Sequence, residues 1–274
     1  QSVPRVDIPA KASGEAAFVH DLRWPGVLHG RVIRPPYAGA DHGDYIGQTL
    51  KGVDQSSVGH IPGVRAVVVQ GDFVGVVADR EEHAEQAMHD LKVEWKPWPR
   101  MPDVRDLEQA LRANPSTPRR LVDEGDVESR LDKADQFFDR TYIWPYQMHA
   151  SLGPSCALAH WLDGSDLQAP HIRLRVWAGT QNPHVLRRDL ALLMQLNDTE
   201  VEVVRMEAAG CYGRNGADDV AADAALISRA VGAPVRVQLT REQENLWDPK
   251  GAAQWMHIRG GLDPLGQPTG YDFE

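Results

Sequence analysis

Cysteine is scarce: the 274-residue chain has two, Cys156 and Cys211. Neither belongs to a CxxC pair or to a Cys/His spacing, so neither a zinc site nor an iron–sulfur cluster is expected on this chain. Two cysteines so far apart are also no disulfide framework. Lysine is scarce as well, with six against 23 arginines. Arginine holds planar anions bidentately, although composition alone is a weak pointer to such a role. An excess of basic charge is missing: the formal net charge is −10, which argues against a nucleic-acid partner, whose phosphate backbone selects for a basic face. No apolar run approaches the ~20 residues that span a bilayer, and no signal-type segment opens the chain. The motif GxSxG is absent, which argues against an α/β-hydrolase nucleophile. The first residue is Gln1, not Met, so the chain is expected to be processed, trimmed or excised from something longer, and the compartment of the parent stays open.

What is present is ordinary globular material, 42% hydrophobic and 25% charged, long enough for one large or two ordinary domains with a real core. The opening, 1–26, reads as extended and irregular. Residues 27–34 read as a strand closed by Pro35-Pro36, and 64–69 with 73–78 as strand, turn, strand. Residues 80–90 place Ala84, Ala87 and Met88 on one helical face, and 91–95 alternate as a strand. Pro97, Pro99, Pro102, Pro115 and Pro118 mark a linker, interrupted by a short helix over 104–113. A second unit begins near Asp126. It has strands over 136–144, 156–162 and 171–178, then a helix over 183–195 with Pro183 in its first turn and a stripe of Leu186, Leu190 and Leu193. A strand over 201–206 leads into a glycine-rich loop, 210–216. A helix follows with Val220, Ala224, Ile227 and Val231 at helical spacing, stopped by Gly232 and Pro234, and then a strand over 235–239.

The loop has the form GxxGxxG (Gly210, Gly213, Gly216), neither the GxGxxG of a dinucleotide fold nor a P-loop. It reads either as a structural turn or as a cradle whose backbone amides reach an anion or a metal-bound oxygen without a Cβ in the way. A nucleotide-binding enzyme is the weaker reading, because the fingerprint spacing is wrong. Between strand and helix, Gly179-Thr180-Gln181-Asn182-Pro183 is either a polar turn with Thr180 or Asn182 as cap, or a device that aims the neutral amide of Gln181 at an oxo group. His149 reads as a hydrogen-bonded, half-buried histidine, with no metal-ligand spacing around it. Asp218 and Asp219 read as helix N-terminal charges, and Arg187 and Arg188 as a solvated face. No pair of carboxylates has a convincing acid–base context.

Several runs together resemble one family. Arg5 to Ala16, followed by Asp21 to Gly30, is similar to the opening of the α/β hammerhead domain of bacterial xanthine dehydrogenases and aldehyde oxidases. His149-Ala150-Ser151 with Pro154 resembles the strand region that opens their molybdenum-binding domain. Gly179 to Pro183 is similar to the segment whose Gln reaches the molybdenum oxo ligand. Arg205-Met206 with Gly210 to Gly216 is similar to the glycine-rich segment around the molybdenum and its pterin dithiolene. Gly-Cys-Tyr-Gly-Arg-Asn-Gly looks closest to the isoquinoline 1-oxidoreductase and nicotinate dehydrogenase-like branch. Two departures stand out: Gly153 replaces the commoner Glu before Pro154, and Gly216 replaces an acidic residue.

The resemblance implies an α+β fold: a hammerhead-like domain over 1–96, a Pro-rich linker over 97–125, and the leading part of a molybdenum cofactor-binding domain over 126–274. It implies a molybdenum-dependent oxidoreductase that oxidises an N-heteroaromatic or aldehyde substrate with water as the oxygen source. Electrons would leave through iron–sulfur centres. Gln181, Gly210, Cys211, Tyr212 and Gly213 would be cofactor-binding, with Tyr212 also near the substrate. No protein side chain would ligate the metal, which the pterin dithiolene holds. The general base would lie outside this chain, so no catalytic residue is assigned in it. The cofactor would be molybdenum–molybdopterin in its cytosine dinucleotide form, with 2Fe–2S clusters on a partner chain. The partners would be that iron–sulfur subunit, the remaining molybdenum-binding polypeptide and a cytochrome c acceptor, in the bacterial cytoplasm or periplasm. The alternative is a non-catalytic structural or assembly fragment, inactive alone.

Overall fold

The structure is a computed structural model that describes residues 3–37, 47–97, 103–162 and 164–274. By contact, the chain forms two compact units: Gln1–Trp98 with His149–Pro249, and Pro99–Met148 with Lys250–Glu274.

The first unit is built on a mixed seven-stranded sheet. Its strands in chain order are β1 (Leu28–Ile33), β3 (Val64–Gln70), β4 (Phe73–Ala78), β7 (Cys156–Trp161), β8 (Leu174–Ala178), β9 (Val201–Arg205) and β10 (Val235–Gln238), and their spatial order is β3-β4-β1-β10-β7-β8-β9. The pairings β1–β10 and β8–β9 are parallel, and the rest are antiparallel. Two helices, α5 (Pro183–Met194) and α6 (Ala217–Val231), pack on the sheet. Leu186, Leu190 and Met194 of α5 join Val220, Ala224 and Ile227 of α6, and both sets meet the buried Leu174, Val176, Val235 and Val237. Helical spacing on α6 thus becomes a dry seam against strands whose alternate residues, such as Leu174, Val176, Val235 and Val237, are apolar and buried. On α5 the expected stripe is displaced: Leu193 is 46% exposed and Met194 is 1% exposed. Position i+8 from Leu186 continues the inward face where i+7 drifts off it.

A second hydrophobic cluster forms where α2 (Glu81–Asp90) lays Ala87 against Val74 and Val76 of β4, together with Val58, Ile61 and Leu91. Beside it β2 (Leu50–Asp54) and β5 (Lys92–Trp95) form a two-stranded ribbon. Where an irregular opening is expected, the structure has helix α1 (Ile8–Ser13), with a Pro in its first turn and Gly14 as its left-handed cap. The Pro and Gly that suggest a coil are the residues that start and stop one helical turn and a half.

The second unit is a three-stranded antiparallel sheet, β12-β11-β6, from β6 (Gln136–Trp144), β11 (Gln254–Leu262) and β12 (Pro268–Phe273). It also carries α3 (Leu107–Ala113), inside the expected linker, and α4 (Val127–Asp132). Arg259 on β11 ties α4 to the sheet, pairing with Glu128 at 2.6 Å and Asp272 at 2.5 Å. Arg112 of α3 lies 3.8 Å over the ring of Trp255. This grouping differs from the sequence division at 96 and 126. The physical reason is that β1 pairs in parallel with β10, some 200 residues later, so the early strands share a core with the late ones. No helix among the described residues is long and apolar enough to cross a membrane.

Candidate functional site: the glycine loop and its amide

The loop 210–216 leaves β9 and ends at the start of α6. Three of its residues carry positive φ: Gly210 at 96°, Tyr212 at 45° and Gly213 at 134°. Tyrosine in the left-handed region costs energy that the surroundings must offset, and such residues cluster at ligand sites. The Tyr212 ring folds back over Gly210 yet is 65% exposed. Gly213 is required on two grounds. Its φ is one that L side chains rarely adopt, and a Cβ there would lie 2.3 Å from His149 Nδ1. The loop is pinned by Asn215, whose Nδ2 donates to Gly210 O at 3.1 Å and whose Oδ1 accepts from Ala217 N at 3.1 Å. Among the described residues, the amides of Cys211, Tyr212, Gly213 and Arg214 donate to no protein group. These four backbone donors are therefore free for an anion or an oxo-bearing ligand.

Gln181 stands beside this loop. Its Nε2 donates to Gly213 O at 2.9 Å and to Cys211 Sγ at 3.3 Å. It is placed by the turn that starts α5, where Asn182 Oδ1 accepts from Val185 N at 3.3 Å and the buried Thr180 Oγ1 accepts from Asn182 N at 3.1 Å. Capping by Asn182 and display of Gln181 are thus one arrangement, not rival readings. Asn182→Ala should lower stability by about 1 kcal/mol through the lost cap, read as a lowered midpoint in urea denaturation.

Gln181, Cys211 and Gly213, expected at one site from the sequence, are hydrogen-bonded neighbours, with Tyr212 and Gly210 in the same loop. His149, read as a half-buried structural histidine, lies directly under Gly213. Asp218 is a first-turn charge of α6 and pairs with Arg214 at 3.0 Å. Gly153 is explained by close approach: a Cβ there would lie 2.7 Å from the Cβ of Ala209, so a Glu at 153 would need the backbone to move. Among the described residues no three His, Cys, Asp or Glu side chains gather as a metal-ligand set.

The sequence reading missed the residues beneath the site. Helix α7 (Arg241–Trp247) carries Glu244, fully buried, and is followed by Asp248, 2% exposed. Glu244 Oε2 accepts from Ser155 N at 2.7 Å, and Oε1 accepts from Ser155 Oγ at 3.0 Å and Ser151 Oγ at 3.2 Å. Asp248 Oδ2 accepts from His149 N at 3.2 Å. Their one available signal was Thr240 followed by Gln243, a capping box that starts a helix and sets which of its acids face inward.

Comparison with known proteins places the chain in a family. A family model described as a molybdopterin cofactor-binding domain matches residues 113–274. The chain is 58% identical over 275 residues to a nicotinate dehydrogenase chain of Pseudomonas putida, covering 100% of this chain and 22% of that protein. It is 26% identical over 252 residues to the beta chain of isoquinoline 1-oxidoreductase of Brevundimonas diminuta, covering 89% of this chain and 31% of that one. Of solved structures, the aldehyde oxidoreductase from Desulfovibrio gigas superposes with a TM-score of 0.74 at 19% identity, over 97% of this chain and 33% of that one. Quinoline 2-oxidoreductase from Pseudomonas putida 86 superposes with a TM-score of 0.71 at 18% identity, over 96% and 37%. At such identities the structural likeness speaks for the shared α+β fold alone. The chain spans between 22% and 37% of the length of these four relatives. By the domain match over residues 113–274, the chain belongs to the molybdopterin cofactor-binding domain family.

Proposed function

We propose that this chain forms part of a molybdenum-dependent hydroxylase, supplying one wall of the cofactor site. The observation that carries the reading is the hydrogen bond from Gln181 Nε2 to Gly213 O at 2.9 Å, which sets a neutral side-chain donor against a loop of unspent backbone amides. Such a set fits an oxo-bearing, anionic group: the donors are uncharged, directional and already held in place. When bound, the molybdenum cofactor supplies the two-electron oxidation of a substrate carbon, with water as the source of oxygen. Gln181 would exchange its bond to Cys211 Sγ at 3.3 Å for one to an oxo ligand, keeping the bond to Gly213 O that holds it in place. The backbone at Gly210, Cys211, Tyr212 and Gly213 would border the cofactor, and the exposed Tyr212 ring would pack near the substrate. No general base is assigned to this chain.

The substrate class is an N-heteroaromatic, with aldehydes as the second class, supported by the names of the nicotinate and isoquinoline relatives. The cofactor is proposed in its cytosine dinucleotide form. The partners are proposed to be a subunit with 2Fe–2S clusters, the remaining molybdenum-binding polypeptide and a cytochrome c acceptor. As homologous segments, in distinction from contact units, residues 1–96 are proposed as hammerhead-like, 97–125 as the connection and 126–274 as the leading cofactor-binding part.

The test is production of the chain together with the remaining molybdenum-binding polypeptide and the iron–sulfur subunit, followed by metal and pterin analysis and turnover of nicotinate and of an aldehyde. Gln181→Leu should retain molybdenum while kcat falls roughly tenfold, the scale of one lost hydrogen bond to a charged centre. A molybdenum-free wild-type complex, or unchanged kcat in the variant, would count against the reading.

A further inference from the structure

Glu244 has no part in the chemistry above, yet it is buried completely. Its partners are all neutral donors: Ser155 N and Oγ, Ser151 Oγ and, at a long 3.5 Å, Gly216 N. No cation pairs with it among the described residues. Burying a carboxylate without a cation costs several kcal/mol even when it is hydrogen-bonded, so an apolar residue would be the more stabilising choice unless the carboxylate sets a geometry. What it holds is one strap, residues 149–155, that touches the glycine loop at its lead-in, middle and end. At the residue that leads into the loop, Leu152 N donates to Ala209 O at 3.0 Å. In the middle, His149 fills the space beneath Gly213. At the end, Ser155 and Glu244 meet Gly216. One turn further along, Asp248 accepts from His149 N and Ala150 N, where Ala150 sits at a φ of 51°. Arg241 ties the same strap from the start of α7, donating to Ser151 O at 2.8 Å and Leu152 O at 2.5 Å.

We propose that Glu244, with Asp248 one turn on, is a positioning residue: α7 fixes the strap 149–155, and the strap fixes the curvature of the loop 210–216 that presents its amides to the ligand. The proposal rests on the proposed function for what the loop binds, but not for the mechanics. Two backbone N–H groups and the Ser155 hydroxyl converge on the two oxygens of Glu244, and the single proton of the Ser151 hydroxyl is divided between Glu244 Oε1 at 3.2 Å and Gly153 O at 2.9 Å. In Glu244→Gln the hydroxyls can turn to accept, but the NH2 group faces the N–H of Ser155 in one orientation and that of Gly216 in the other, so one backbone N–H of the strap or of the loop loses its acceptor while volume and helix stay the same.

The experiment uses the full molybdenum-binding chain with its partner subunits. Amide hydrogen exchange is followed over 210–216 for wild type, Glu244→Gln and the milder Ser151→Ala, and the electron paramagnetic resonance signal of reduced molybdenum is recorded on the same samples. Glu244→Gln should speed exchange in 210–216 about tenfold relative to β7 and β8, with Ser151→Ala changing it in the same direction by about threefold. Per bound molybdenum, the resonance signal should shift and kcat should fall with KM little changed. Exchange in the loop that rises no more than in the sheet, in both variants, would overturn the proposal. If Glu244→Gln does not fold, the Ser151→Ala exchange result decides alone. In a complex that carries no molybdenum, faster exchange of the hydrogen-bonded strap amides of His149, Ala150, Leu152 and Ser155 in Glu244→Gln would leave the positioning role standing and remove the proposed function.

Discussion

Gly213→Ala is expected to destabilise the protein by roughly 2–6 kcal/mol and to abolish retention of molybdenum in the assembled enzyme. Two separate penalties add. A non-glycine residue at a φ of 134° pays ~1–3 kcal/mol of backbone strain. The new methyl group would lie 2.3 Å from His149 Nδ1 and 2.6 Å from Cε1, and such overpacking costs ~1–3 kcal/mol when the neighbours shift. The two terms are separable. In the double variant His149→Ala/Gly213→Ala the ring is gone, so about half the lost stability should return, measured as the urea midpoint at constant slope. Molybdenum should not return, because the loop still cannot adopt the curvature that leaves its amides free. A single Gly213→Ala variant with wild-type stability would mean that the loop takes another backbone path.

Much of the sheet was legible because its strands are short apolar runs with clear punctuation. Residues 64–69, 73–78 and 235–239 stand within a residue or two of β3, β4 and β10. They are β-branched and bounded by Gly, Pro or Asp, which is what a covered strand needs. The helix over Val220, Ala224 and Ile227 was legible for the same kind of reason, and all three are fully buried. The partnership of Gln181 with the loop came from resemblance; its spacing alone favoured a plain polar turn. What stayed hidden depends on contacts between distant parts of the chain. Nothing local to Leu28-His29-Gly30 announces a parallel partner at Val235-Arg236-Val237. Likewise, Glu242 and Glu244 are alike as sequence, and only the docked helix leaves one exposed and buries the other. The buried polar residues that shape the site look like surface residues until their donors are known, because the donors come from the distant strap.

The second large effect concerns a buried charge apart from the loop. Asp223 on α6 is 5% exposed and pairs with Arg34 at 2.7 Å, while the Arg34 guanidinium lies 4.5 Å over the ring of Trp247. Burial pushes the Asp223 carboxyl up to about 6, Arg34 pulls it down, and Asp219 one turn away raises it further. Since the folded value lies above the ordinary value of 3.8, the folded state holds the proton where the unfolded chain has released it. The stability from this group is complete below about pH 4 and is lost as pH rises through about 6, a difference of about 3 kcal/mol at ~1.4 kcal/mol per unit. Asp223→Asn should remove that slope, so the variant gains on wild type as pH rises from 4 to 7. Arg34→Met leaves a buried carboxylate with no cation and should cost roughly 3–5 kcal/mol at pH 8. Near pH 5 the cost should shrink, because without Arg34 the carboxyl keeps its proton and no charge is left to strand. Denaturation midpoints of the two variants at pH 5 and pH 8 check both signs together. An Arg34→Met penalty that is equal at the two values, or larger at pH 5, would mean that Asp223 is hydrated and that Arg34 matters through its packing on Trp247 and not through charge.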